Sequence, residues 1–285
     1  MPVATLTELL QNGVHFGHQT SRWNPKMRPY IFASRGGIHI LDVAQTVDLL
    51  GEACQFAHDT VAQGGQILFV GTKKQAHDTI EEECSRSGQP YVINRWMGGR
   101  LTNFEVVKLQ LKRLTELSEQ KERDGFAGMI KKEQRHREDD LTRLIRNFGG
   151  ITNMKRLPLA LFVVDPHKER LAVTEANKLN IPIIAITDSN CDPDEIAYVI
   201  PGNDDAIRSV RLIVSRLTDA IVSGLDERRQ IELAQTQAAA ERAAQLRAEQ
   251  EAAAIAQAEQ EAAAEAERAA AEEPSEETAP QEVAE

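Results

Sequence analysis

The sequence has 285 residues, of which 41% are hydrophobic and 27% charged, and its formal net charge is −11. This composition is that of a globular chain with room for a core and appendages, and the overall acidity argues against nucleic acid. The N-terminus lacks a basic flank before an apolar stretch, and no apolar run approaches the ~20 residues of a membrane helix. We therefore expect a soluble, intracellular protein with no membrane partner.

The charge is distributed very unevenly along the chain. Residues 226–285 hold 16 acidic and 5 basic residues, which accounts for the whole net charge and leaves residues 1–225 neutral. Within that body, residues 1–41 carry +3 and residues 95–156 carry +6. Phosphate binding depends on local patches more than on the total charge, so two basic territories keep a nucleic-acid partner open.

The first elements in chain order are two helices with clear start signals. Thr5 and Glu8 have the spacing of a capping box for a short helix. Asp42 caps a longer helix, whose apolar residues recur every three or four positions. Between these helices, residues 14–41 hold turn residues, aromatics and a short alternating stretch at 38–41.

Short apolar segments that alternate with helices follow. The predicted strands are 66–70, 91–93, 160–164, 182–186 and 197–200. Helices are predicted at 168–179 and after Asn203, which caps the last one with Asp204 and Asp205 in its first turn. Strands that alternate with helices form βαβ units, so the fold class is α/β with a doubly wound parallel sheet.

An insert and a tail complete the organisation. Apolar residues at helical spacing in two arms of residues 104–150 predict an inserted antiparallel, coiled-coil hairpin. The Ala/Glu-rich tail, 226–285, lacks the large apolar residues of a core, so we expect a solvated helix to about Glu273 and a disordered end. The predicted divisions are 1–103 (first part of the α/β domain, with an N-terminal RNA-contact segment), 104–150 (hairpin), 151–225 (second part) and 226–285 (tail). We predict that the protein assembles with RNA without the acidic tail, because RNA repels the negative charge of the tail.

Cysteine usage gives no sign of catalysis. Cys54, Cys84 and Cys191 lie far apart without a Cys-x-x-Cys pair, which is typical of a reducing compartment. Cys54 and Cys84 fall on apolar helix faces, where a core thiol is the ordinary interpretation. None of the three has a visible base partner. The strand ends also provide no convergent acid/base or nucleotide site, so we predict no enzyme and no cofactor.

The segment Gly71–Lys74 suggests an alternative function. It follows a strand and opens a helix at the carboxyl edge of the sheet, where open parallel sheets bind ligands. A nucleotide- or phosphate-binding α/β enzyme is the alternative at this position. The glycine-rich run that cradles a nucleotide is missing, however, so a single RNA phosphate held by Lys73 and Lys74 fits better.

A metal site is a second hypothesis at the same edge. His18, Asp188 and either Asp204 or Asp205 fall in loops or at element ends, and together they could hold a divalent ion. Such an ion would staple the N-terminal segment to the sheet. The competing interpretation is that loop histidines are hydrogen-bonded packing groups, and no metal is assigned. Metal analysis of protein purified without chelator decides between the two.

The strongest binding signals combine cations with aromatics. Residues 22–30 hold three cations, two aromatics and two prolines, and residues 95–100 hold two arginines, a tryptophan and two glycines. Cations pair with phosphates, aromatic faces stack on exposed bases, and glycines allow close backbone approach. For Trp23 and Trp96, a place in the core is an equal alternative. The predicted RNA-binding residues are Arg22, Trp23, Lys26, Arg28, Lys73, Lys74, Arg95, Trp96 and Arg100.

Five longer segments carry a resemblance to a known family. They are His15–His18, Trp23–Met27, Phe69–Lys73, Arg95–Asn103 and Ile200–Arg208. In this order, across about residues 2–225, they resemble bacterial-type small-subunit ribosomal protein two. The tail departs from the family core, so the resemblance implies nothing about it.

The resemblance implies a flavodoxin-like α/β domain with an inserted coiled-coil hairpin. It also implies a structural, non-enzymatic constituent of the small ribosomal subunit, on its solvent side between head and body. The implied partners are small-subunit ribosomal RNA and neighbouring ribosomal proteins, including ribosomal protein one, which brings messenger RNA. The implied location is on cytoplasmic ribosomes, with the chloroplast stroma left open.

Overall fold

The computed structural model describes residues 3–271, with side chains described at 3–243 and 245. The strands are β1 (Phe16–Gln19), β2 (Ile31–Arg35), β3 (Ile38–Leu41), β4 (Ile67–Val70), β5 (Tyr91–Val92), β6 (Ala160–Val164), β7 (Ile183–Thr187) and β8 (Tyr198–Pro201). The helices are α1 (Leu6–Gln11), α2 (Val43–Ala62), α3 (Lys74–Ser87), α4 (Phe104–Asp124), α5 (Lys131–Phe148), α6 (Arg170–Lys178) and α7 (Ile207–Ala271).

The centre of the fold is a parallel sheet of five strands in the order β5-β4-β6-β7-β8. Strands β4, β6 and β7 are apolar runs that are buried along their whole length, as expected for strands covered on both faces. Their register is set by pairs such as Phe69↔Phe162 and Val163↔Ala185. The prediction of an α/β fold with a parallel sheet is confirmed.

Helices cover the two faces of this sheet and form two apolar layers. One layer joins alternate strand residues to helices α2, α3 and α7 through side chains such as Leu50, Ile80 and Leu217. The other joins the remaining strand residues to helix α6 and to the chain around Leu101 and Phe104. Because strand side chains alternate between faces, both layers draw on the same strands.

A second sheet lies in the segment before helix α2. Strands β1, β3 and β2 form an antiparallel sheet in that order. Its hairpin turns at Gly36 and Gly37, whose φ angles of 61° and 77° favour glycine. Backbone hydrogen bonds, such as Asn24 N–H to the Ser189 carbonyl at 2.8 Å, attach this segment to the carboxyl edge of the parallel sheet. The sequence analysis missed this sheet.

Helices α4 and α5 lie between β5 and β6 in the chain and pack against each other. Their contact buries Leu111, Leu114 and Leu144. Arg113 pairs with Asp140 at 2.8 Å across the two helices. The chain leaves α4 at Gly125, whose φ of 58° ends that helix in the left-handed region.

The last helix begins later than the sequence analysis expected. Asn203 does accept hydrogen bonds from the backbone N–H groups of Asp205 and Ala206, at 2.9 and 3.1 Å. Helix α7, however, starts at Ile207. Asp204 and Asp205 therefore precede the helix, and their predicted place in its first turn is wrong.

The chain divides into two compact units. The first is Met1–Arg228 and the second is Arg229–Glu285. Helix α7 is helical as far as Ala271, and the predicted disordered end after Glu273 lies outside the described residues. Within residues 3–271, no helix has both the length and the apolar character that a membrane crossing requires.

Two adjacent glycines after α5 give a matched stability test. A Cβ on Gly150 would fall against the carbonyl oxygen and ring of Tyr91, whereas one on Gly149 would meet only Ile145 Cγ2, at 3.6 Å. We expect Gly150→Ala to lower the free energy of unfolding by about 2 kcal/mol, because strand β5 would have to move. Gly149→Ala should change it by about 0.5 kcal/mol or less. Urea unfolding monitored by circular dichroism measures both, and equal effects would contradict the packing at Tyr91.

Candidate nucleic-acid interface

The carboxyl edge of the parallel sheet is organised around a buried ammonium group. Lys73 follows β4, and its Nζ lies 2.7 Å from Asp165 after β6. The same Nζ lies 2.9 Å from Asp204 and 2.8 Å from Asp205, which follow β8. The Lys73 side chain is only 12% exposed. Lys73 therefore neutralises internal carboxylates, and its contact with an RNA phosphate stays a prediction.

Burial and charge set the electrostatics of this cluster. Burial, together with repulsion from Asp165 and Asp188, raises the pKa of Asp204 to about 7. Burial alone would lower the pKa of Lys73, but the three carboxylates outweigh it and hold the pKa above its ordinary value. The ammonium therefore stays charged at neutral pH and balances carboxylates that would otherwise repel one another.

His18 connects the N-terminal segment to this cluster. Its backbone N–H donates to Asp188 Oδ1 and Ser189 Oγ, both at 3.0 Å. Its ring Nδ1 lies 2.9 Å from Asp188 and Nε2 lies 3.4 Å from Asp205. The hydrogen bond with Asp188 is the main reason that the pKa of His18 lies above its ordinary value. These contacts staple the segment to the sheet through protein groups.

The residues of the metal hypothesis do come together. Ligand atoms of His18, Asp188 and Asp204 all lie within 4.8 Å of one another. Asp204 is also the partner of Lys73, so a divalent ion would have to share that carboxylate with the ammonium. Metal binding stays a prediction, and metal analysis remains its test.

The loop after β5 is shaped by one carboxylate of helix α6. Glu175 accepts hydrogen bonds from the Trp96 indole at 3.1 Å and from the backbone N–H groups of Gly99, Leu101 and Thr102 at 2.8, 3.0 and 3.1 Å. This arrangement aims the tryptophan into the core, where only 5% of it is exposed. Trp96 therefore occupies the core position that was its alternative interpretation, and its contact with RNA stays a prediction.

Arg100 also points inward. Only 2% of it is exposed, and its guanidinium lies 5.5 Å from the ring centre of Trp96 and 5.4 Å from that of Phe148. Nη2 donates to the Asn147 carbonyl at 3.0 Å. Arg100 is thus held against the interior, and its contact with an RNA phosphate stays a prediction.

The other predicted residues lie on the surface. Arg22, Arg28, Lys74 and Arg95 are exposed. Trp23 is 37% exposed, with its ring 5.2 Å from that of His39. All of these side chains remain available to an external partner.

Lys26 is exposed but already paired. Its Nζ lies 2.8 Å from Asp192 and 2.7 Å from Asp194, which raise its pKa above the ordinary value. Its charge is therefore largely compensated within the protein. The three cations of residues 22–28 are therefore not equivalent, and the charge of Lys26 is the least available to an external phosphate.

The small antiparallel sheet adds surface groups that sequence reasoning missed. Phe32 is 76% exposed and Phe16 is 50% exposed, and Arg35 lies exposed beside the hairpin turn. The Gly36-Gly37 pair between two apolar stretches is the hairpin signal that would have indicated this sheet. Exposed aromatics near arginines are suited to single-stranded RNA.

Two neighbouring lysines provide a test of the ion-pair cluster. We expect Lys73→Met to lower the free energy of unfolding by about 3 kcal/mol at neutral pH, because three carboxylates lose their counter-charge. The exposed neighbour Lys74→Met should change it by about 0.5 kcal/mol or less. Urea titrations of both variants at equal salt give the comparison. If the two substitutions cost the same, the cluster does not stabilise the fold.

The sheet edge that would host a ligand is thus filled by internal ion pairs, and the exposed groups are suited to surface contacts. The class that these features define is an α/β protein suited to binding partners through surface groups. The family model described as ribosomal protein S2 matches residues 9–224. The chain belongs to this family, whose members are structural proteins and not enzymes.

Individual relatives agree with the family match. The chain is 54% identical over 246 residues to "Small ribosomal subunit protein uS2" of Roseiflexus castenholzii, covering 84% of this chain and 94% of that protein. It is 52% identical over 234 residues to the protein of that name from Sorangium cellulosum, covering 82% and 84%. The one from Chloroflexus aggregans is 54% identical over 226 residues, covering 79% and 95%.

Proposed function

We propose that this chain is a structural constituent of the small ribosomal subunit, where it binds ribosomal RNA and neighbouring ribosomal proteins during translation. The name shared by the similar proteins, small ribosomal subunit protein uS2, supports the assignment of this chain to that subunit. The observation that carries the RNA contact is the set of exposed arginines and aromatics on and beside the small antiparallel sheet. The compensated cluster around Lys73 supports a scaffold in place of the alternative, a nucleotide- or phosphate-binding enzyme.

The proposed RNA surface combines residues predicted by sequence with groups of the small antiparallel sheet that only the structure revealed. In the described part of the chain, no carboxylate lies within ion-pair distance of Arg22, Arg28 or Arg95. Their charges therefore remain free for phosphates, while Trp23 and Phe32 offer faces for stacking. We call these five residues the RNA surface, with Lys74 and Arg35 as weaker members.

Finer parts of the proposal concern organisation and partners. We infer that helices α4 and α5 are the inserted coiled-coil hairpin of a flavodoxin-like domain, whose two parts are residues 1–103 and 151–225. Leucines buried between the two helices support this inference. The chain would also dock ribosomal protein one, and through it messenger RNA. The proposed location is on ribosomes of the cytoplasm or chloroplast stroma.

The salt dependence of RNA binding tests the RNA surface. We expect the triple variant Arg22→Gln, Arg28→Gln, Arg95→Gln to flatten the log–log salt slope by about one unit for each phosphate that no longer pairs with an arginine. Filter binding of small-subunit ribosomal RNA across a salt series measures the slope, with circular dichroism to check folding.

Lys26→Gln is the matched control for that experiment. It removes one cation from the same segment, but from a side chain that Asp192 and Asp194 already neutralise. Lys26→Gln should change the log–log salt slope by less than the single variant Arg22→Gln does. An unaltered slope in the triple variant, or a larger change in Lys26→Gln, would refute the assignment.

The acidic tail is proposed to be dispensable for assembly. Residues 226–285 hold the entire net charge of −11 and are repelled by RNA. A chain ending after Arg228 keeps the compact unit Met1–Arg228 and the contact of His58 with Glu227 at 3.3 Å. We expect its free energy of unfolding to stay within about 0.5 kcal/mol and the protein to co-sediment with small subunits. A folded truncation that fails to enter subunits would make the tail a docking element.

A further inference from the structure

A cavity of about 370 Å³ lies at the base of helices α4 and α5, beside the loop that Glu175 holds. Its size falls within the range of protein pockets that enclose small groups. The residues that line it are Met97, Gly98, Gly99, Arg100, Asn103, Val106, Val107, Gln110, Arg143, Leu144, Asn147 and Phe148. These residues include two arginines and no acidic side chain.

Arg100 is the unusual member of this wall. Although it is buried, its Nε and Nη1 have no hydrogen-bond partner, and only Nη2 donates, to the Asn147 carbonyl. Burial lowers the pKa of this guanidinium to about 10, and the attraction of Glu175 only partly opposes the effect. Glu175 is already committed to the loop backbone and Trp96. A buried cation with unpaired donors is costly, and an anion in the cavity would offset that cost.

The rest of the lining restricts the kind of anion. Arg143 adds a second cation, which already pairs with Asp140 at 2.9 Å and whose side chain is 68% exposed. Val106, Leu144 and Phe148 form an apolar wall beside the two arginines. Phosphates of nucleic acid are usually held by exposed cations and backbone groups at polar surfaces. A carboxylate next to an aliphatic group matches both the charge and the apolar wall.

We propose that this cavity binds an acidic segment of a partner protein, with a glutamate or aspartate carboxylate paired to Arg100 and an aliphatic neighbour against Val106 and Leu144. The site is separate from the RNA surface, and the inference does not rest on RNA binding. The base of helices α4 and α5 would then be a docking site that recognises the carboxylate of its partner.

The test uses the full-length protein and two peptides, Leu-Glu-Leu-amide and Leu-Gln-Leu-amide, each carrying a fluorescent label on its N-terminal amine. We expect the glutamate peptide to bind saturably in fluorescence anisotropy and at least roughly tenfold more tightly than the glutamine peptide, because a charge-assisted pair forms only with the carboxylate. Absence of saturable binding, or equal affinity for the two peptides, would overturn the proposal. Displacement of the peptide by a uridine oligonucleotide or inorganic phosphate at lower concentration than by acetate would assign the cavity to phosphate instead and also overturn it.

Variants locate the binding. Arg100→Met should remove the preference for glutamate, whereas Lys112→Met, which removes an exposed charge of helix α4 outside the cavity, should preserve it. A second variant, Val106→Asp, covers the case in which Arg100→Met does not fold. It places a carboxylate at a half-exposed position in the cavity wall and should weaken the glutamate peptide roughly tenfold. If a folded Arg100→Met variant or Val106→Asp leaves the preference intact, the peptide binds elsewhere and the proposal fails.

Discussion

The ion pairs of Lys73 are the constraint on which the carboxyl edge of the sheet depends. Three carboxylates from two loops, one after β6 and one after β8, meet at one point, and without a cation between them they would repel one another. With the ammonium in place, His18 can engage Asp188 and Asp205 and hold the N-terminal segment there. Most residues of the proposed RNA surface belong to that segment, so their position depends on an interaction among protein groups. Many α/β proteins bind a ligand at this edge of the sheet. In this protein the same edge holds the ion pairs that attach the N-terminal segment.

Glu175 performs the corresponding task on the other side of the sheet. By collecting hydrogen bonds from Trp96 and the following backbone, it fixes the loop that leads into helix α4. The fixed loop turns Arg100 toward Phe148 and forms one wall of the cavity. The Glu175 carboxylate thus explains why Trp96 and Arg100, both predicted to bind RNA, are buried. It also explains why Arg100 lines the cavity.

The architecture could be predicted from sequence because its signals are local. Apolar runs such as Ala160–Val164 and apolar faces at helical spacing depend on neighbouring residues, and the parallel α/β sheet followed from their order. The roles of individual cations could not be predicted in the same way. Lys73 and Lys74 are adjacent and alike in sequence, yet one is surrounded by carboxylates from distant loops and the other faces solvent.

The two tryptophans show the same limit. Trp23 and Trp96 both sit in cation-rich segments, and only the position of Glu175, on a helix much later in the chain, makes the second one a core residue. The small antiparallel sheet was missed for a different reason. Its strands are short and exposed, so they carry little of the hydrophobic periodicity that reveals a strand.

The strand order has a consequence for how the protein is made. Ile67 of β4 pairs with Ala160 of β6, so the centre of the sheet joins segments that lie on opposite sides of helices α4 and α5 in the chain. During synthesis from the N-terminus, β4 emerges with only the two-residue strand β5 as a partner. Its other edge stays open until both helices and β6 have been translated, and open apolar edges promote aggregation. The nascent chain therefore passes through a stage, as long as the translation of the insert, in which it needs protection that the finished sheet no longer requires.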